Sequence, residues 1–163
     1  MRKSVKILFL LLPLMIVTAV MYGASKKEAL KYDIVSAGTG AQGTYLCKVS
    51  VYSKNGKTTE ADIKRAAVHG VIFKGVTGGN GQATQKPMAT PTVEFEKADF
   101  FEEFFKDGGP YMAYANVEPA TFERSKVAKS KEYRVSAIVT VTKDELRRFL
   151  EQAGIVRRLG DIF

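Results

Sequence analysis

Two alternating stretches constrain this chain more than any other feature. Within Thr44 to Ser53, residues Tyr45, Cys47, Val49 and Val51 share one side, while Lys48 and Ser50 take the other. Near the end, Tyr133, Val135, Ala137, Val139 and Val141 form an apolar side, opposed by Arg134, Ser136, Thr140 and Thr142. Side chains along a strand alternate with period two, so each stretch must bury one face and leave the other polar. A sheet of such strands needs a covering layer on one side only.

The covering layer is legible in the helical patterns. Thr59 and Asp62 have capping-box spacing, and Ile63, Ala66, Ala67, Gly70 and Val71 then recur along one helix face. Residues 97–106 predict a helix with Phe100, Phe101, Phe104 and Phe105 on one stripe, stopped at Gly108-Gly109-Pro110. A second capping-box spacing, Thr142 with Glu145, precedes Leu146, Phe149, Leu150 and Ala153, and Gly154 ends that element. Further strands are expected at Tyr32 to Ser36, at Val71-Ile72-Phe73 ending near Lys74-Gly75, and at Tyr111 to Val117. The expected class is α+β: a single-domain sandwich, with about three helices on one face of a mainly antiparallel sheet of about four to five strands.

The N-terminus sets the expected location. Arg2, Lys3 and Lys6 precede an apolar run from Ile7 to Val20, and Gly23, Ala24 and Ser25 supply small residues for a cut. That order is a secretory signal, and the run is shorter than the roughly 20 residues of a spanning helix. Residues 1–24 are therefore expected to be removed and the domain exported, to the periplasm or outside the cell. Tyr22 stands three places before a cut after Ala24, where a small residue is usual, so retention as an N-terminal anchor is the alternative. Residues 25–43 form a lead-in with a Gly-rich turn, and residues 44–163 the α+β domain, with a long loop at 76–91. Such loops are commonly functional.

Export bears on charge and cysteine. The chain carries a formal +8, and three of its bases lie in the signal, so the mature part is only mildly basic. Hydrophobic residues make up 45% and include ten Phe, enough to fold around one core. Cys47 is the single cysteine, which excludes an intrachain disulfide. Its place on an apolar strand face predicts a buried thiol rather than a reactive one.

Several motifs imitate chemistry. Gly38 to Gly43 fits the spacing of a dinucleotide fingerprint, but that site needs a helix N-terminus to hold the pyrophosphate, and a strand pattern follows. It is expected to be a turn or bulge between strands, and no cofactor is expected. Asn55-Gly56-Lys57-Thr58 resembles the end of a phosphate-binding loop, yet Val51 stands where the first Gly is required. A turn feeding a helix cap accounts for it. His69 is the only histidine, without the companion ligands a metal site recruits, and is expected as a helix-end residue. Glu102-Glu103 and Glu94/Glu96, the latter on an expected strand, are read as solvated charge rather than as a glycosidase pair.

No catalytic, cofactor or metal residues are assigned, and the chain is not expected to be an enzyme. A basic run, Arg124, Lys126, Lys129, Lys131 and Arg134, is the candidate anion-binding site. Nucleic acid is not an expected partner, because aromatics are not interleaved with these bases apart from Tyr133. The leading functional expectation is an exported accessory or structural protein of the cell envelope that recognises a protein partner, through the loop at 76–91 or an apolar helix face. The alternative is a module for polyanions or anionic membrane surfaces, followed by a hydrolase whose site is not legible.

Overall fold

The computed structural model describes residues 30–158; the expected export segment 1–24 and the lead-in as far as residue 29 lie outside the described residues. Five strands form one antiparallel sheet: β1 (Lys31–Gly38), β2 (Tyr45–Ser53), β3 (Ala115–Val117), β4 (Glu123–Lys126) and β5 (Tyr133–Val141). The order is β1-β2-β5, and β3 and β4 share the far edge of β5. The register sets Cys47, Val49 and Val51 opposite Val139, Ala137 and Val135, all at most 5% exposed, so the two alternating stretches supply one continuous apolar face. Burying such side chains contributes about 1.5–3 kcal/mol each relative to exposure. On the other face Ser50 and Ser136 hydrogen-bond at 2.8 Å, and Lys48 pairs with Glu123 at 3.0 Å.

Helix α1 (Glu60–His69) packs on the apolar face against β1, β2, β3 and β5. Its start is the expected capping box: the Thr59 hydroxyl accepts from Asp62 N–H, and the Asp62 carboxylate accepts from Thr59 N–H. Ile63, Ala66 and Ala67 are fully buried beneath it. The expected strand at Val71–Phe73 is not formed. The helix continues as a π-helical turn, Gly70–Lys74, closed by Gly75 N–H donating to Gly70 C=O at 2.8 Å. Gly70, Val71, Ile72 and Phe73 are all buried, and burial on every side erases the periodicity that separates helix from strand.

The loop at 76–91 is stapled rather than featureless. Thr77 bridges β1 at Val35, Val76 pairs with Gln85, and Asn80 Nδ2 donates to Ala37 C=O. Pro91 then opens a short helix, α2 (Pro91–Glu96), directly followed by α3 (Ala98–Phe104). The sequence pattern gives the second helix and misses the first, so Glu94 and Glu96 are helical, not on a strand. Tyr111 is buried in a 3-10 turn, Pro110–Tyr114, and only Ala115–Val117 of that expected strand pairs with β5.

Helix α4 (Lys143–Gln152) buries Leu146 and Leu150 completely, while Ala153 is exposed and Gly154 ends it at φ +69°. Its expected capping box is not made. Thr142 N–H is tied to Tyr114 C=O, and the Thr142 hydroxyl is buried without a hydrogen bond among the described residues. No helix among the described residues is long and apolar enough to cross a membrane.

Candidate functional site

Three elements distant in sequence bring their polar side chains into one line. His69 ends α1, Tyr32 lies on β1, and Glu94 stands in the first turn of α2, where a carboxylate suits the positive end of the helix dipole. The Tyr32 hydroxyl is 2.6 Å from His69 Nδ1, and His69 Nε2 is 2.9 Å from Glu94 Oε1. Burial, and after it the Glu94 charge, pushes the Tyr32 phenol well above its ordinary range, so it keeps its proton. One arrangement satisfies all three groups: Tyr32 O–H donates to Nδ1, and Nε2–H donates to the Glu94 carboxylate.

The close approach behind this line depends on Gly70. A Cβ there would stand 3.0 Å from Ile34 Cγ2 and 3.2 Å from Tyr32 Cε2. The bare backbone lets β1 come against the end of α1 and carry Tyr32 to the histidine. Lys74 fixes the strand from the other side, donating to Tyr32 C=O at 2.9 Å.

The line forms one wall of a cleft of about 610 Å³ between α1 and the α2–α3 pair. Phe101 and Phe105, 4% and 3% exposed, lie at its base, and the His69 ring contacts Phe105 with centroids 5.6 Å apart. Phe95 stands at the cleft with 80% of its surface exposed, the most exposed large apolar side chain described. Arg65 lines the cleft one helical turn before His69, its guanidinium 5.8 Å from the Phe105 centroid. Its size, and a lining that sets Phe95, Phe101 and Phe105 among Arg65, Glu102 and the Tyr32–His69–Glu94 line, suit the insertion of a small molecule or a partner's side chain.

The residues singled out from sequence fall elsewhere. Arg124 and Lys126 lie on β4, Lys129 and Lys131 in the following turn, and Arg134 on β5. Register sets Arg124 and Lys126 opposite Val135 and Tyr133, but Arg134 opposite Ser125, so Arg134 projects from the other face of the hairpin. The Arg124 guanidinium packs over the Tyr133 ring at 4.8 Å. Acids are interleaved: Glu123 pairs with Lys48, which holds its carboxyl below the usual range, and Glu132 pairs with Lys31. The hairpin thus groups Arg124 with Lys126 and separates both from Arg134.

Gly38 to Gly43 is a bulge and turn leading into β2, with Gly43 at φ +78°. Cys47 is fully buried, and burial pushes its thiol up to about 12. Of the Phe stripe, Phe101, Phe104 and Phe105 are core, and Phe100 is partly covered. His69 is at a helix end as expected, but Glu94 is not merely solvated: it holds the histidine. The Tyr32–His69–Glu94 line was missed by sequence reasoning. The available signal was Thr90-Pro91, since Pro favours the first position of a helix and so places Glu94 in a first turn.

No family model matches the chain, and neither a curated protein nor a solved structure matches it.

Proposed function

We propose that this is a non-enzymatic accessory domain of the cell envelope, exported by its N-terminal segment, and that it recognises a protein partner through the cleft between α1 and α2–α3. The carrying observation is Phe95, 80% exposed at the mouth of an apolar cleft whose base is already well packed. Leaving a phenyl ring in water forgoes roughly 1.5–3 kcal/mol that a covering surface recovers, and exposed aromatics are frequent anchors of interfaces. His69 supports the reading as a tie: both its ring nitrogens are hydrogen-bonded within the protein, which holds α2, and with it Phe95, against the end of α1.

Capture from the native envelope with the mature chain tests this. Phe95→Asp is expected to lose a partner that the wild type retains, while Phe122→Asp, at the 40% exposed Phe122 beside β4, is expected to keep it. Retention by both variants would place recognition elsewhere.

A further inference from the structure

We infer that the partner's contact segment is basic: its lysine or arginine side chains lie across Phe95 and carry their charges to the carboxylates of α2–α3. This rests on the partner-binding reading of the cleft and names the chemistry of the occupant. The chain as a whole carries a formal +8. Residues 91–104 nevertheless hold five acids, Glu94, Glu96, Asp99, Glu102 and Glu103, against one base, Lys97. Acid is therefore concentrated on the helix pair that presents the exposed ring.

Two of those carboxylates are used within the fold. Glu94 holds His69 at 2.9 Å, and Glu103 accepts from Lys106 at 2.6 Å. Glu96, Asp99 and Glu102 are exposed, and their side chains form no hydrogen bond or ion pair among the described residues. They stand on both sides of Phe95. Glu102 lines the main cleft, while Glu96 and Asp99 line a second recess of about 380 Å³ that shares Phe95 with it. Two bases face the same surface and leave it acidic. Lys97 lines the second recess. Arg65 lines the cleft, and the charges of Asp62 and Asp107 act beside its own on the Tyr111 phenol.

The ring and the acids favour the same occupant. Lysine and arginine carry an apolar stem beneath a charged head, so one side chain can cover a phenyl ring and still reach a carboxylate. A cation over the open face of Phe95 gains further attraction from the ring itself. An acidic segment would meet like charge on either side of the ring, and an uncharged one would draw nothing from the three carboxylates. An anionic membrane surface is disfavoured on the same ground.

The test uses the full chain and three short fluorescent peptides, followed by anisotropy. The peptides share the same leucines and differ only in carrying lysine, glutamine or glutamate between them. The lysine peptide is expected to bind about tenfold more tightly than the glutamine peptide, with a preference that shrinks as salt is added. The glutamate peptide is expected to bind least. Combining Glu96→Gln, Asp99→Asn and Glu102→Gln should remove the preference, and Phe95→Ala should weaken every peptide that binds. Glu118→Gln, at an exposed acid outside both recesses, should leave the preference intact. Equal affinity for the lysine and glutamine peptides, both weakened by Phe95→Ala, would overturn the basic occupant and leave the partner-binding reading standing. A preference that survives the triple change, or that Glu118→Gln also removes, would overturn it too. Binding indifferent to Phe95→Ala, or no binding at millimolar peptide, would count against both readings. Sedimentation with phosphatidylglycerol vesicles that depends on Phe95 would assign the face to a membrane instead. Should circular dichroism show the triple variant unfolded, Glu102→Gln alone takes its place, with a partial loss of preference expected and an undiminished one overturning the inference.

Discussion

His69 Nε2 and Glu94 Oε1 lie 2.9 Å apart, joining the last residue of α1 to the first turn of α2 across the head of the apolar cleft. The contact fixes α2, and with it Phe95, relative to the sheet, because the same imidazole is held by Tyr32 of β1. A short helix of six residues has little stability of its own, so its position must come from such tertiary ties.

The three side chains are therefore expected to act as one unit. Tyr32→Phe and Glu94→Ala should each cost about 1 kcal/mol in urea unfolding, the worth of a partly exposed hydrogen bond. The double variant should fall short of the sum by about 0.5 kcal/mol or more, since each loosens the ring the other holds. Additivity within about 0.3 kcal/mol would show two independent contacts.

Gly70→Ala should destabilise the fold although alanine is the better helix former. Its Cβ would meet Ile34 at 3.0 and 3.1 Å and Tyr32 at 3.2 Å, and Ile34 is only 2% exposed. Overpacking of about 1–3 kcal/mol outweighs a propensity gain of about 1 kcal/mol. Thermal unfolding should show a lowered Tm, and NMR should show the Tyr32 and His69 rings displaced.

Sequence legibility followed the way each element is stabilised. Tyr133–Val141 and Tyr45–Ser53 were readable because one face is buried and the other is not, and Thr59 with Asp62 announced α1 by local hydrogen bonds. Val71–Phe73 was not readable, because its burial on all sides leaves β-branched residues with no period to betray a helix. Glu123–Lys126 is exposed at all four positions, so nothing in its own pattern marks a strand; its pairing with β5 does. Thr142 has the spacing of a cap, yet its backbone is claimed by Tyr114. The candidate site joins residues 37 and 25 positions apart, and no local rule brings those together.

At high pH the fold should weaken from the ordinary tyrosine range upward. Burial raises the folded-state pKa of Tyr32, so above about pH 10 the unfolded chain releases a proton that the folded one retains. Stability is fully present below that pH and falls as pH rises, by up to roughly 1.4 kcal/mol per pH unit for one group. Tyr52, Tyr111 and Tyr114 are pushed the same way, so Tyr32→Phe should reduce the slope of urea midpoint against pH without abolishing it.

Cys47 should be silent in the native state. With its thiol fully buried and pushed up to about 12, the reactive thiolate is scarce at pH 8. A disulfide-exchange reagent should label no thiol in the folded protein and one per chain in urea. Rapid labelling without denaturant would contradict the packing of β2 against β5.

The most direct test of the central claim is site-specific photo-crosslinking of the full-length protein in its native cells. A benzophenone side chain at position 95 should give a protein adduct of defined mass, and the same group at position 122 should not. An adduct from position 122, or from neither, would contradict the assignment of the cleft beside His69 and Glu94 as the recognition surface.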